Sequence, residues 1–241
     1  MGASIPNAKL RVGIFGYPLG HSISPAFQQA AFDHIGLDAR YEAWQTAPGE
    51  LAKAVSRLRR DGYLGANVTV PHKVAVRDHL DELDPWAEAI GAVNTIVSKG
   101  GRLVGFNTDA YGLIEALRRE AQFDARGKKV VLIGAGGAAR AAAFGLAREG
   151  AASLVIANRT PARAEALAAE LRDSVAEVAA LDLASSSLGE RIASADLIVN
   201  ATSVGMQGGP AEGRSPVANG LIQPTCVVHD MVYNPEATPL L

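Results

Sequence analysis

Short apolar runs alternate with stretches in which apolar residues recur every three or four positions, and this alternation runs the length of the chain. Residues 9–16 (KLRVGIFG) form a β-branched and aromatic run ended by glycine, which predicts a strand. Ser24-Pro25 predicts a helix start, a capping hydroxyl followed by proline at the first helical position, with Phe27, Ala30, Ala31 and Ile35 on one face and Gly36 as the stop. Residues 40–45 alternate as a strand, and 48–61 read as an amphipathic helix with Leu51, Val55 and Leu58 on one face. A third strand covers 63–70, and Pro71 stops it and opens a further helix. This order is simplest as a parallel sheet covered by helices. Residues 93–98 and 102–106, joined by Lys-Gly-Gly, predict a hairpin, and Asp109 stands where it would cap a helix over 111–120.

A second series begins near Gly127. Residues 128–133 (KKVVLI) read as a buried strand leading into GAGGAAR (134–140) and a helix to Glu149. Strands at 153–158, 175–179, 195–201 and 227–233 and a helix over 161–171 follow. The junction between the two series falls within 107–126, giving domains 1–108 and 109–241.

Composition narrows the classes. A chain of 241 residues with 48% hydrophobic content can build one large or two modest cores. Its 23 Lys+Arg against 25 Asp+Glu argue against a nucleic-acid binder working through a basic surface. A lone cysteine, Cys226, excludes an intramolecular disulfide and a cysteine-rich zinc site, and no metal site is expected. No leader is visible, Pro6 stands where a myristoylation signal wants Ser or Thr, and Arg140, Arg148 and Glu149 break the alanine-rich stretch that would otherwise suggest a membrane span. The expectation is a soluble cytoplasmic protein, a monomer or homodimer, with neither nucleic acid nor membrane as partner.

A buried strand, a glycine-rich turn and a helix together suit a dinucleotide pyrophosphate: Gly134 allows the tight turn, Gly136 lets phosphate approach the backbone, and the first helical amides face the anion. Ala139 takes the third glycine slot. Where an NAD site carries Asp or Glu at the end of the second strand, this chain has Asn158-Arg159-Thr160 with Arg163 one turn on. A carboxylate there repels a 2′-phosphate and Arg159 pairs with it, so the expected cofactor is NADP; solvated helix-end charges are the blander explanation of the two arginines. Thr160 would cap the next helix and donate to the phosphate.

Polar residues gather where the first series of strands ends: Ser22 and Ser24, then Asn67, Thr69 and Lys73, then Asn94 and Thr95, then Asn107 and Asp109. Singly each has an ordinary structural use. Together they suit a small polyhydroxylated acid. Interconverting an alcohol and a ketone needs a group to take or give the hydroxyl proton, and Lys73 with Asp109 fits that task. A lysine starts from a reference pKa of about 10.4 and must be depressed to act as base; a helix start after Pro71 would depress it, while Asp109 would orient it and share its proton. A plain salt bridge between two loops is the alternative.

The segments HSISP (21–25), NVTVPHK (67–73), GAVNT (91–95), GFNTD (105–109), GAGGAAR (134–140), NRT (158–160), NATSVGM (200–206) and DMVYNP (230–235) together resemble the shikimate dehydrogenase family, in order and spacing, over nearly the whole chain. The resemblance implies an α/β protein: an N-terminal α/β substrate domain, a Rossmann-type doubly wound parallel-sheet NADP domain, and a cleft between them. It implies reversible NADP-dependent reduction of 3-dehydroshikimate to shikimate in aromatic amino-acid biosynthesis. Lys73 and Asp109 become the catalytic dyad. Ser22, Ser24, Thr69, Lys73, Asn94, Asp109 and Tyr233 hold substrate; Gly134, Ala135, Gly136, Gly137 and Ala138 cradle the pyrophosphate; Asn158, Arg159, Thr160 and Arg163 read the adenosine phosphate; Met231 lies near the nicotinamide.

Two departures stand out. The family's Ser-Pro-x-x-His-Asn is here SPAFQQ (24–29), and the family's C-terminal helices, which return to the first domain with a glycine and a glutamine for the site, have no counterpart before Leu241. Rival readings are a quinate/shikimate or aminoshikimate variant and a non-catalytic NADP-binding paralogue. Arg159 argues against the NAD use that goes with quinate, and the presence of both Lys73 and Asp109 favours an enzyme. A folate-pathway methylene dehydrogenase lacks support from the serine pair and from NTD (107–109).

Overall fold

In a computed structural model describing residues 10–20, 22–218 and 220–241, the chain divides into two units, Met1–Thr108 and Asp109–Leu241. Lys9 of the first expected strand and His21 of HSISP lie outside the described residues.

The first unit runs β1 (Leu10–Gly16), α1 (Ser24–His34), β2 (Ala39–Gln45), α2 (Leu51–Ser56), β3 (Tyr63–Val68), β4 (Glu82–Leu83), α3 (Pro85–Ile90), β5 (Thr95–Lys99) and β6 (Arg102–Phe106). Its six strands form one sheet in the order β2-β1-β3-β5-β6-β4. β1 is parallel to β2 and β3, but β5 is antiparallel to both β3 and β6, so the sheet is mixed rather than the parallel one expected. The reason is the hairpin. Gly100 and Gly101, at φ +57° and +82°, make a two-residue turn that joins only antiparallel neighbours, so one strand of the pair must oppose the rest. Phe15, Leu58, Val76, Ile96 and Leu103 pack the core beside the sheet. Each such burial contributes about 1.5–3 kcal/mol.

Local expectations fail at informative places. Residues 48–61 hold α2 between two 3-10 turns instead of one continuous helix, though Leu51, Val55 and Leu58 are buried as expected. No α-helix opens at Pro71; residues 71–74 turn into the 3-10 segment Ala75–His79. The helix start invoked to depress Lys73 is therefore not there. Ser24 is not a cap either: it is the first residue of α1, and its amide N–H donates to Ser22 Oγ at 3.4 Å. No residue of α1 is fully buried, and Phe27 and Ile35 stay 53% and 70% exposed. Gln29 attaches the helix instead. Its Nε2 donates to Ala39 O at 3.1 Å and its Oε1 accepts from Tyr41 N at 2.9 Å, which satisfies the outer edge of β2.

The second unit runs α4 (Asp109–Glu120), β7 (Lys129–Ile133), α5 (Gly137–Arg148), β8 (Ser153–Asn158), α6 (Pro161–Leu171), β9 (Glu177–Asp182), α7 (Leu188–Ala193), β10 (Leu197–Asn200) and β11 (Val227–Asp230). Asp109 lies inside α4 as its first residue rather than ahead of it as a cap. The sheet is all parallel in the order β11-β10-β7-β8-β9. Strand order reverses between β7 and β10, which makes the fold doubly wound with its switch point at the end of β7. The two-residue period of β7 feeds both faces: Val130 and Leu132 pack with Leu146 and Leu167, while Val131 and Ile133 pack with Leu188 and Ile192. Among the described residues no helix is long and apolar enough to cross a membrane, and no cluster of side chains is suited to a metal ion.

Candidate active site

Every polar residue singled out in the first unit falls at one edge of its sheet. Register places Asn67 opposite Thr95 and Thr95 opposite Phe106, so the carboxyl ends of β3 and β6 and the amino end of β5 coincide. The loop after β1 joins them: Thr69 N donates to Phe15 O at 2.8 Å and Tyr17 N to Val70 O at 3.0 Å. A Cβ on Gly16 would stand 2.4 Å from Thr69 Cγ2, so only glycine lets Thr69 pack there. Ser22, Ser24, Thr69, Lys73, Asn94 and Asp109 are all half-buried.

The loop carrying Lys73 is pinned on both sides. Lys73 O accepts from Val93 N at 2.8 Å, and the buried imidazole of His72 bonds through Nε2 to Thr46 O at 2.7 Å. Asn94 is clamped to Thr108 by a reciprocal pair: its Nδ2 donates to Thr108 Oγ1 at 2.8 Å and its Oδ1 accepts from Thr108 N at 2.9 Å. Asn107, buried, donates to Ala92 O at 2.9 Å. The segment that delivers Asp109 is thus set by two asparagines.

In the second unit the chosen residues lie at the carboxyl ends of the parallel strands, around the switch point. Gly134 ends β7 at φ +115°, and a Cβ on it would meet Ala201 O at 3.0 Å and Thr202 Cγ2 at 3.2 Å. A Cβ on Gly136, at the start of α5, would have nothing within 4 Å. That open space beside the first amides of a twelve-residue helix fits a phosphate group. At the end of β8, Asn158 Nδ2 donates to Thr160 O at 2.9 Å and fixes the turn that presents Arg159. Arg159 and Arg163 are exposed, and their guanidinium groups bond to no described residue. Thr160 holds the cap position of α6, but its hydroxyl makes no cap hydrogen bond.

Asn200, Thr202 and Asp230, in NATSVGM and DMVYNP, have no role that the sequence alone assigns. The structure supplies one. Asn200, fully buried at the end of β10, donates from Nδ2 to Asp230 Oδ1 at 2.9 Å and to Val204 O at 3.3 Å, and accepts at Oδ1 from Thr202 N and Oγ1 at 3.1 and 2.7 Å. Asp230 also accepts from Val232 N at 2.9 Å and Thr238 Oγ1 at 2.7 Å. All four hydrogen-bonding positions of the Asn200 amide are used. The network holds Met231 and the exposed Tyr233 on the β11 side and Thr202 against Gly134 on the β7 side. Asn200 and Asp230 stand opposite each other in register, thirty residues apart, a pairing invisible before the strands are paired.

A family model described as the shikimate dehydrogenase substrate binding domain matches residues 14–96, and one described as shikimate / quinate 5-dehydrogenase matches residues 116–206. An NADP(+) shikimate dehydrogenase of Methanopyrus kandleri is 48% identical over 232 residues, covering 95% of this chain and 79% of the relative. The crystal structure of shikimate 5-dehydrogenase from Thermus thermophilus, in complex with NADP(H) and shikimate, is 39% identical with a TM-score of 0.80, over 94% of this chain and 80% of that one. A quinate dehydrogenase from Corynebacterium glutamicum in complex with NAD is 32% identical with a TM-score of 0.81, over 97% of this chain and 83% of that one. With both halves matched and nearly half the residues shared with a relative over most of its length, the chain belongs to the shikimate dehydrogenase family.

Proposed function

We infer that the chain is an NADP-dependent shikimate dehydrogenase, reversibly reducing 3-dehydroshikimate to shikimate on the route to chorismate and the aromatic amino acids. Residues 1–108 bind substrate and residues 109–241 bind NADP. The observation that carries the substrate side is the gathering of Ser22, Ser24, Thr69, Lys73 and Asn94 at one edge of one sheet. Ser22 Oγ accepts the Ser24 amide with a lone pair, which leaves its O–H to donate to the substrate carboxylate. Ser24, Thr69, Asn94 and Tyr233 serve the carboxylate and ring hydroxyls. Lys73 Nζ gives a proton to the ketone oxygen in reduction and takes it from the hydroxyl in oxidation, while the Asp109 carboxylate orients the amine and the reacting hydroxyl. NADPH, when bound, supplies the hydride. A cytoplasmic monomer or homodimer suits the single thiol and the balanced charge.

Gly134, Ala135, Gly136, Gly137 and Ala138 hold the pyrophosphate, and Met231 lines the nicotinamide side. Asn158, Arg159, Thr160 and Arg163 take the adenosine end, where two exposed guanidinium groups without described partners suit a 2′-phosphate. Arg159→Ala is expected to raise the NADP KM about tenfold or more while changing the NAD KM less than about twofold, as removal of one charge-assisted bond of about 1.5–3 kcal/mol predicts. Equal changes with both cofactors would refute the assignment. The assay for the whole reading is spectrophotometric: NADP reduction with shikimate, run beside quinate and beside NAD. Shikimate with NADP is expected to be the best pair; faster turnover of quinate with NAD would give the protein the quinate activity instead.

A further inference from the structure

The buried phenol of Tyr41 lies on β2, outside every motif that carried the family resemblance, and it heads a chain of hydrogen bonds that ends at the substrate side of the sheet. Tyr41 Oη donates to Asn67 Oδ1 at 2.7 Å. With that oxygen engaged, Asn67 Nδ2 turns the other way and donates to Thr95 Oγ1 at 3.2 Å, with a longer contact to Asn94 O at 3.4 Å. Thr95 Oγ1, accepting from Asn67, donates its own proton to Asn94 Oδ1 at 3.0 Å. Asn94 then closes the reciprocal clamp on Thr108, the residue before Asp109. Each group accepts from the one before it and donates to the one after, so every member polarises the next.

We propose that Tyr41 is a positioning residue for the substrate site: its hydroxyl decides which way the Asn67 amide faces, and through Thr95 it fixes the orientation in which Asn94 meets the substrate. This rests on the shikimate dehydrogenase reading above. Two further observations support it. Burial pushes the Tyr41 phenol well above its ordinary value, so the hydroxyl stays a proton donor throughout the working pH range. The ring cannot wander either. Gln29 Oε1 accepts from the Tyr41 backbone N–H at 2.9 Å, and the ring packs tilted against Phe32 at 6.1 Å between centroids. Without the hydroxyl, Asn67 Oδ1 loses its donor, its amide gains a second orientation, and the chain loses its direction.

The test uses the full chain and steady-state kinetics with shikimate and NADP. Tyr41→Phe keeps the ring and removes only the hydroxyl. It is expected to raise the shikimate KM about three- to tenfold, the size of one ordinary hydrogen bond, with the NADP KM unchanged within about twofold. Thr95→Val breaks the next link and should give the same signature, while Thr95→Ser keeps the hydroxyl and should recover most of the loss. A folded Tyr41→Phe protein with an unchanged shikimate KM overturns the proposal. If that variant fails to fold, an unchanged KM in Thr95→Val overturns it. A rise in both KM values together means general loosening of the fold and overturns it as well. Absence of shikimate turnover in the parent chain would instead sink the dehydrogenase reading itself, which separates the two failures.

Discussion

Lys73→Ala is expected to lower kcat for shikimate oxidation by about 10²–10⁴-fold, the usual contribution of a positioned general acid–base group. NADP affinity, measured by fluorescence titration, should change less than about twofold, because the pyrophosphate turn and Arg159 belong to the other unit. The loop has anchors other than the Lys73 side chain. It is pinned by the Lys73 carbonyl accepting from Val93 N, by His72 on Thr46, and by Val76 N donating to His72 O at 2.9 Å. A thermal melt near that of the parent is therefore part of the prediction. Asp109→Asn should lower kcat as well, and the double variant should lose little more than Lys73→Ala alone, since the proposed dyad would act as a unit. Turnover within a factor of ten of the parent in Lys73→Ala would remove the lysine from the chemistry. Loss of NADP binding would mean that its role had been misassigned.

The second unit was the more legible in sequence, and the reason is physical. A parallel strand buried on both faces is a continuous apolar run, and Gly134, Asn158 and Pro161 mark the ends of β7 and β8 and the start of α6. Residues 175–179 were harder. Alanine at 176, 179 and 180 gives little contrast between strand and turn, and the strand lies two residues later, over Glu177–Asp182. In the first unit, Phe27, Ala30, Ala31 and Ile35 repeat with helical period yet all remain exposed, because Gln29 and Phe32 attach α1 to the sheet. Periodicity shows that a face exists, not that anything covers it. The site divides the same way. Residues next to a strand end could be placed from the sequence, since the carboxyl edge of a sheet is where ligands bind. Tyr41 on Asn67 and Asn200 on Asp230 are joined by strand register, which no single segment encodes.

Two glycines two residues apart make the sharpest test of the cofactor turn, because alanine should fail at each for a different reason. Gly134→Ala forces a side chain onto φ +115° and drives Cβ to 3.0 Å from the carbonyl of Ala201. That carbonyl cannot withdraw, since Thr202 beside it is held to Asn200 through both its amide and its hydroxyl. Backbone strain of this kind costs about 1–3 kcal/mol, so the protein should melt lower and bind NADP poorly. Gly136→Ala meets nothing. Its φ of −89° suits any residue and no atom lies within 4 Å of the new methyl, so the only cost is that alanine caps a helix less well than glycine, about 1 kcal/mol or less. The protein without cofactor should therefore melt slightly below the parent and above Gly134→Ala. In the proposed pyrophosphate cradle the methyl nonetheless takes space the phosphates need, so the NADP KM should rise at least about tenfold and the upward shift in Tm that NADP gives the parent should vanish. A Gly136→Ala protein that binds NADP like the parent would show that the phosphates lie elsewhere. An equal fall in stability for both variants would show that the turn is occupied by protein rather than open to ligand.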